Sequence, residues 1–136
     1  MRIVIDTNVL LSGLMLPDST PGKIVNAWRK RNFDLVVSEM MLEETARVLA
    51  YPKIRKRLNW DEEIISRFVA LLRFEAEIVS IAGVEANVPA DANDNHLLAT
   101  LVASKADWLI TGDSDFDSLT ERHPIITPSE FARRFL

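Results

Sequence analysis

The feature that most constrains the fold is the opening segment, M-R-I-V-I-D-T-N, in which an apolar run stops abruptly at a carboxylate. Ile3, Val4 and Ile5 are consecutive β-branched residues, which is typical of a strand that is buried on both faces. Asp6 then marks the carboxyl end of that strand. Because ligands of open α/β sheets bind in the crevice outside the carboxyl ends of the strands, Asp6 is predicted to line a binding crevice.

The same design returns near the other end of the chain. The apolar run Trp108–Thr111 leads into Gly112 and Asp113. If both runs form adjacent parallel strands, the side chains of Asp6 and Asp113 emerge next to each other. Two neighbouring carboxylates repel each other unless a cation lies between them. The sequence therefore predicts an acidic metal site at this edge of the sheet.

Strand-like and helix-like segments alternate along the whole chain, which predicts βαβ units and a mostly parallel sheet covered on both faces. Further strands are expected at Phe33–Val37, Glu77–Ile81 and Ile125–Thr127, besides the two described above. Helices are expected in the intervening segments, with Thr20, Ser38, Asp61 and Ser129 as the residues that begin or cap four of them. No repeat or linker divides the 136 residues, so a single domain, 1–136, is predicted.

Composition limits the possible functions. The chain contains no cysteine, which excludes disulfides, zinc sites made of thiolates and cysteine nucleophiles. Its net charge of −4 argues against a protein that coats nucleic acid indiscriminately. Charged residues interrupt every apolar stretch before it reaches the length needed to span a bilayer, so no membrane association and a cytoplasmic location are expected.

Other carboxylates are predicted to lie at the same edge of the sheet as Asp6 and Asp113. Asp91 and Asp94 precede the helix that leads to the fourth strand. Glu43 and Glu44 lie in the first turns of the helix that follows the second strand. Taken singly, each has an ordinary explanation: Asp6 is a turn residue, and Asp94 complements a helix dipole. Convergence of four separated segments on one edge instead indicates a functional site.

Four motifs carry a resemblance to a known family. They are D-T-N-V-L at the start, S-E-M-M-L-E-E-T in the middle, then D-A-N-D-N-H-L-L-A and W-L-I-T-G-D-S-D-F. In order and spacing they resemble the PIN-domain family of metal-dependent nucleases, from Met1 to about Ile126. The chain is most similar to the VapC-like ribonucleases, which are the toxin components of type II toxin–antitoxin pairs.

The resemblance implies a three-layer α/β/α fold with the strand order 3-2-1-4-5, and cleavage of single-stranded RNA with Mg²⁺ or Mn²⁺. It implies catalytic roles for four carboxylates and supporting roles for their neighbours. The implied catalytic residues are Asp6, Glu44, Asp94 and Asp113, of which Asp6, Asp94 and Asp113 are metal ligands. The implied supporting residues are Asn8, Asp91, Thr111 and Asp115. Glu43 beside Glu44, and Asp91 beside Asp94, leave the register open at two positions.

The resemblance also implies partners: an RNA substrate, a cognate antitoxin that blocks the acidic site with a basic side chain, and a second copy of the chain in a homodimer. The apolar face of Leu10–Leu16 and the helix from Ile64 to Leu72 are candidate surfaces, although burial in the core explains most of these residues equally well. Two basic clusters, Arg29–Arg31 and Lys53–Arg57, are either solvated faces or surfaces that track phosphates beside the site.

The chemistry of phosphodiester hydrolysis favours such a site independently of any family. Divalent ions prefer hard oxygen ligands, and they both activate water and neutralise the leaving oxygen. Histidine is not needed in this mechanism, so His96 is interpreted as a polar surface or capping residue. The three tryptophans are interpreted as core or interface residues rather than as platforms for stacked bases.

Three alternatives remain open. Asp6-Thr7-Asn8 and Gly112-Asp113 with Asp117 suggest a phosphatase of the haloacid-dehalogenase kind, but that mechanism needs an acid where Asn8 stands. A phosphoacceptor receiver domain would need an aspartate at the end of the third strand, where Val79-Ser80-Ile81 offers none. A non-catalytic interaction module would not need the carboxylate set.

Overall fold

In the computed structural model, which describes residues 1–136, five parallel strands form one twisted sheet. The strands are β1 (Arg2–Ile5), β2 (Asp34–Val37), β3 (Glu77–Ile78), β4 (Trp108–Ile110) and β5 (Ile125–Ile126). Their order is β3-β2-β1-β4-β5, so the predicted strand order is confirmed. The third and fifth strands are shorter than predicted. β3 is an edge strand that pairs only with Val36 and Val37, so its ladder ends early.

The central position of β1 follows from its sequence. Ile3 and Val4 are completely buried, and Ile5 nearly so, because the strand has a neighbour on each side and helices on both faces. Ile5 lies opposite Ile110 of β4, which places Asp6 beside Thr111 one residue further on. The register thus brings the ends of β1 and β4 together at the carboxyl edge of the sheet.

Seven α-helices cover the sheet. They are α1 (Thr7–Met15), α2 (Thr20–Arg29), α3 (Glu39–Leu49), α4 (Pro52–Leu58), α5 (Glu62–Glu75), α6 (Asn95–Ser104) and α7 (Pro128–Phe135). Helices α1, α2 and α7 pack together, as do α3, α5 and α6. The predicted three-layer α/β/α architecture is therefore confirmed. None of these helices combines the length and apolar character needed to cross a bilayer.

Two of the predicted helix caps are wrong by one or two residues. The caps are Ser19 for α2 and Thr127 for α7, rather than Thr20 and Ser129. In both helices a proline occupies one of the first two positions, and the capping hydroxyl lies before it so that it can accept from the backbone N–H three residues on. Ser38 begins α3, but its hydroxyl accepts a hydrogen bond from Thr100 instead.

The last turn of α1 is held against α2 by a close backbone approach. A Cβ atom at Gly13 would lie 2.6 Å from the carbonyl oxygen of Pro21, so only glycine fits there. This contact fixes the orientation of the helix that directly follows Asp6, and so contributes to the geometry of the carboxyl edge.

Candidate active site

Asp6 is the most firmly held carboxylate at the carboxyl edge. It is 7% exposed, and its backbone N–H donates to the carbonyl of Ile110 at 2.9 Å. Its Oδ2 accepts a 2.7 Å hydrogen bond from the hydroxyl of Thr111, and its Oδ1 accepts a 3.1 Å hydrogen bond from the backbone N–H of Asn8. The carboxylate therefore has one orientation. Asn8 supports it through its backbone, while its own side chain is exposed.

The pKa of Asp6 is raised above its ordinary value. Burial is the largest cause, the hydrogen bonds from Thr111 and Asn8 lower the pKa in part, and the charges of Glu44 and Asp113 raise it again. The electrostatic effect of these two residues places them in the same neighbourhood as Asp6. Glu44 comes from α3 and Asp113 from the segment after β4, as expected from the sequence.

A chain of hydrogen bonds leads from Asp6 to the loop after β4. The hydroxyl of Thr111 accepts from the backbone N–H of Asp113 at 3.1 Å, and Oδ1 of Asp113 accepts from the N–H of Asp115 at 2.9 Å. Asp113 thereby caps a 3₁₀ helix, Ser114–Leu119, that the sequence analysis did not predict. This short helix turns the carboxylate of Asp115 back toward the site.

The tightest carboxylate group consists of Asp91, Asp94 and Asp115. Each offers an oxygen atom, and these atoms lie within 4.8 Å of one another. Asp91 accepts from the N–H of Asn93 at 2.9 Å and caps the 3₁₀ helix Ala92–Asp94, which places Asp94 at the start of α6. Asp6 and Asp113 lie outside this tight group. The carboxylates at this edge of the sheet are named the carboxylate cup: Asp6, Glu44, Asp91, Asp94, Asp113 and Asp115. Three of them form its compact side, and the other three are more widely spaced.

Asp94 shows how strongly the carboxylates of the cup repel one another. Its pKa is raised to about 6, first by burial and then by the charges of Asp113, Asp6, Asp91 and Asp115. The pKa of Asp115 is raised as well, by burial and by Asp113 and Asp91. Carboxylates on both sides of the cup thus raise the pKa of Asp94.

Glu44 lies next to a histidine. Nε2 of His96 is 3.3 Å from Oε2 of Glu44, and the pKa of Glu44 is lowered mainly by this hydrogen bond, with smaller contributions from Thr7 and Arg47. Glu43 is exposed, and the charge that acts on Asp6 is that of Glu44, so the structure brings Glu44 rather than Glu43 to the cup. The pKa of Glu44 is therefore shifted in the opposite direction from those of Asp6 and Asp94.

The interpretation of His96 as a surface or capping residue is wrong. Its side chain is only 10% exposed, and its Nδ1 is buried without a hydrogen-bond partner. The two residues of the His96–Glu44 pair are 52 positions apart and come from α6 and α3. The feature of the sequence that could have placed His96 at the site is its position, two residues after Asp94 at the start of the same helix.

The donor set of the cup fits a hard divalent cation. It offers only carboxylate oxygens, contributed by β1, α3, the start of α6 and the loop after β4, and no lysine or arginine forms an ion pair with any of them. Burial and mutual repulsion disfavour the charged forms of Asp6 and Asp94, and a bound cation would relieve both effects. Asp94 and its neighbours Asp91 and Asp115 are the closest set of donors for such an ion.

Comparison with known proteins agrees with the fold. The uncharacterized protein MJ1680 of Methanocaldococcus jannaschii is 30% identical over 145 residues, an alignment that covers 99% of this chain and 92% of the relative. The sequence profile of the PIN domain matches residues 2–115, which include every carboxylate of the cup. The chain therefore belongs to the PIN-domain family, whose members are generally nucleases that use divalent metal ions.

Proposed function

We propose that this protein is a metal-dependent endoribonuclease that hydrolyses phosphodiester bonds of single-stranded RNA with Mg²⁺ or Mn²⁺. The observation that carries the proposal is the convergence of carboxylates at one edge of the sheet. Oxygen atoms of Asp91, Asp94 and Asp115 lie within 4.8 Å of one another, and the charges of Asp6 and Asp113 contribute to the raised pKa of Asp94. Mutual repulsion of these carboxylates costs stability in the metal-free fold, and a bound cation would relieve it. Membership of the PIN-domain family supports a nuclease in particular.

In this proposal the carboxylates have distinct roles. Asp6, Asp94 and Asp113 are the metal ligands, and Asp91 and Asp115 complete the cup on its compact side. Thr111 and the backbone of Asn8 hold the carboxylate of Asp6 in place. The proposal keeps Asp6 as a ligand although it lies outside the tight group, because its charge and that of Asp94 act on each other.

The divalent ion supplies charge neutralisation for the phosphate oxygens and makes water a better nucleophile at neutral pH. The protein's own contribution is orientation. Glu44 is ionised and held by His96, so it is poised to accept a hydrogen bond from the attacking water at the rim of the cup. Asp6 has a single orientation because two hydrogen bonds hold it, so it needs little reorganisation when substrate arrives.

The proposal extends to a biological role as the toxin of a toxin–antitoxin pair in the cytoplasm, acting as a homodimer and held inactive by a cognate antitoxin. The support is the VapC-like arrangement of D-T-N-V-L, D-A-N-D-N-H and T-G-D-S-D, together with a cup whose negative charge suits an inhibitory basic side chain. Family membership argues against the phosphatase and receiver-domain alternatives. In addition, the side chain of Asn8 is exposed and takes no part in holding Asp6.

The test compares wild type with Asp6→Asn and Asp94→Asn on a labelled single-stranded RNA, with Mn²⁺, Mg²⁺ or a chelator. We expect cleavage by wild type only when a metal is present, and a loss of about a thousandfold in rate in either variant, equivalent to about 4 kcal/mol of transition-state stabilisation. Glu43→Gln is the matched control, since it changes an exposed carboxylate next to Glu44, and it should retain the wild-type rate. Undiminished cleavage in chelator or in Asp6→Asn would refute the proposal. Absence of cleavage by wild type with either metal would also refute it, and the interaction module would then be the better account.

A further inference from the structure

The segment between the third and fifth helices carries an unusual concentration of positive charge. From Thr45 to Trp60 the chain has five basic residues and no acidic residue, although the whole protein has a net charge of −4. Four of the five, Lys53, Arg55, Lys56 and Arg57, lie within the seven residues of α4. The helix is therefore positive over its whole length.

The cations of α4 are not neutralised within the protein. Elsewhere, Arg2, Arg31, Arg67, Arg73 and Arg133 each pair with a carboxylate. None of the six ion pairs involves α4, and no side chain of the helix forms a hydrogen bond. Lys53, Lys56 and Arg57 are exposed, and Arg55 is half-buried. Their charges are thus available to an external anion.

The position of α4 distinguishes it from the other basic cluster. Helix α5 has 14 residues and ends just before β3 begins, so its first turn, next to α4, lies about 20 Å from the amino edge of the sheet. Helix α4 also contacts α1 and α3, both of which start at the carboxyl edge. In the cluster Arg29–Arg31, which ends α2 just before β2, two cations are already engaged within the protein. Arg31 pairs with Glu75, and the guanidinium of Arg29 lies 6.0 Å from the ring centroid of Phe68.

The distance from α4 to the carboxylate cup is short. Glu44 lies on α3, five residues before the helix ends at Leu49, which is roughly 8 Å along the axis. Helix α4 begins three residues later, at Pro52. A single strand with one phosphate in the cup therefore needs only a few further nucleotides to reach α4.

An open hollow adjoins the basic helix at its junction with α5. It measures about 600 Å³ and is lined by Pro52, Arg55, Lys56, Asn59, Trp60 and Asp61. Its volume lies within the range of pockets that hold small ligands. Trp60 is half-buried and rests on Phe68 with the ring centroids 5.3 Å apart, so its position is fixed. The carboxylate of Asp61 is engaged in capping α5 through the N–H of Ile64. Two cations, an amide and a fixed aromatic ring thus line one recess.

We propose that α4 and this hollow form a docking surface for single-stranded RNA, in which Arg55 and Lys56 bind backbone phosphates and Trp60 contacts a base. The proposal rests on the ribonuclease function proposed above. Cations followed by a fixed aromatic ring suit a flexible strand, because phosphates need positive charge and every base has a π-face. An acidic polypeptide would use the cations but would leave the indole ring of Trp60 without a counterpart. Opposite charges at α4 and the cup also explain how an acidic protein holds RNA.

The test measures binding apart from cleavage. A fluorescent single-stranded uridine oligomer is titrated in chelator, by anisotropy at several salt concentrations, with wild type, Arg55→Gln/Lys56→Gln and the control Lys30→Gln/Lys105→Gln. The control removes two cations at the amino edge, where neither residue has an ion-pair partner. We expect the α4 variant to bind on the order of tenfold more weakly at 0.1 M salt, with a salt slope smaller by about 1.4, and the control to bind like wild type.

Two further measurements distinguish binding at α4 and Trp60 from nonspecific attraction between positive charge and RNA. The swap Arg55→Lys/Lys56→Arg keeps both charges and should restore most of the affinity. Quenching of tryptophan fluorescence by the oligomer should disappear in Trp60→Phe, since that variant lacks the indole beside the hollow. Circular dichroism and unfolding temperature confirm that each variant is folded.

The outcomes distinguish this proposal from the one on which it rests. An equal loss of affinity in both double variants, or an unchanged affinity in Arg55→Gln/Lys56→Gln, would overturn the docking surface. The proposal of metal-dependent cleavage would remain intact. Displacement of the oligomer by poly-glutamate at equal charge would overturn it in favour of an acidic protein partner. Binding through α4 with no metal-dependent cleavage would instead remove the ribonuclease assignment.

Discussion

The two edges of the sheet handle charge in opposite ways. At the amino edge, the guanidinium of Arg2 donates to Glu77 and to the carbonyl of Ser104, and its backbone N–H donates to Asp107 at 2.7 Å. At the carboxyl edge, the six carboxylates of the cup share one neighbourhood, and the only one of them with a paired side chain is Glu44, which lies 3.3 Å from His96. Acidic residues are therefore paired around Arg2, whereas no lysine or arginine pairs with the carboxylates of the cup.

This difference indicates what each edge contributes. Paired charges at the amino edge cost little and help to keep the ends of β1, β3 and β4 together. Unpaired carboxylates at the carboxyl edge destabilise the metal-free fold, because burial and repulsion act on them together. Active sites often keep an arrangement that lowers the stability of the ligand-free fold, because the bound ligand offsets that loss of stability.

The largest expected contrast between the edges is their response to a divalent ion. A cation that binds only the native cup stabilises the fold, by about 2.7 kcal/mol at a hundred times its Kd, which corresponds to a rise of about 10 °C in Tm. Calorimetry with and without Mn²⁺ measures the shift. Asp94→Asn should lose most of it, and the amino-edge variant Glu77→Gln should keep it. An equal shift in Asp94→Asn and wild type would place the ion elsewhere.

Much of the fold followed from the sequence because local and long-range signals agree. The apolar β-branched run Ile3–Ile5 marked the central strand, and the matching run before Asp113 marked its neighbour. The strand order itself came from the resemblance to PIN domains. The caps of α2 and α7 were predicted one or two residues too late, because several hydroxyls lie near each helix start and only the backbone geometry selects Ser19 and Thr127.

The arrangement of the candidate site was less predictable. The sequence placed Asp6, Asp94 and Asp113 at one edge, but the tight grouping of Asp91, Asp94 and Asp115 depends on two 3₁₀ helices that no periodic pattern reveals. The pairing of His96 with Glu44 joins α6 to α3 across 52 residues. Such contacts depend on how helices pack side by side, which the local sequence does not encode.

An intermediate effect is expected from the hydrogen-bond partner of Glu44, His96. If His96 holds Glu44 for catalysis, His96→Ala should lower kcat about tenfold with little change in KM, because a lost hydrogen bond to a charged group costs about 1.5 kcal/mol. His96→Gln keeps a donor near the position of Nε2 and should recover most of the rate. Steady-state kinetics on single-stranded RNA measure both variants.

A double-mutant cycle shows whether His96 acts through Glu44. In a Glu44→Gln background, His96→Ala should cause no further loss of kcat, since the residue that it positions is already altered. A loss of the same size in both backgrounds would contradict a positioning role and would indicate that His96 matters only for packing.

The smallest expected effect is the pH dependence of the metal-free fold. Because the pKa of Asp94 is about 6 in the folded protein and 3.8 in the unfolded chain, the folded state holds this proton more tightly, and stability from this residue is lost as pH rises from about 4 to 6. Asp94→Asn removes the dependence. Its Tm in chelator should therefore match that of wild type near pH 4 and exceed it by a few degrees at pH 7. Glu77→Gln should instead melt slightly below wild type at pH 7, because its partner Arg2 loses an ion pair. An Asp94→Asn protein that melts below wild type at pH 7 would mean that the carboxyl edge is as well paired as the amino edge, and the contrast between the two edges would be lost.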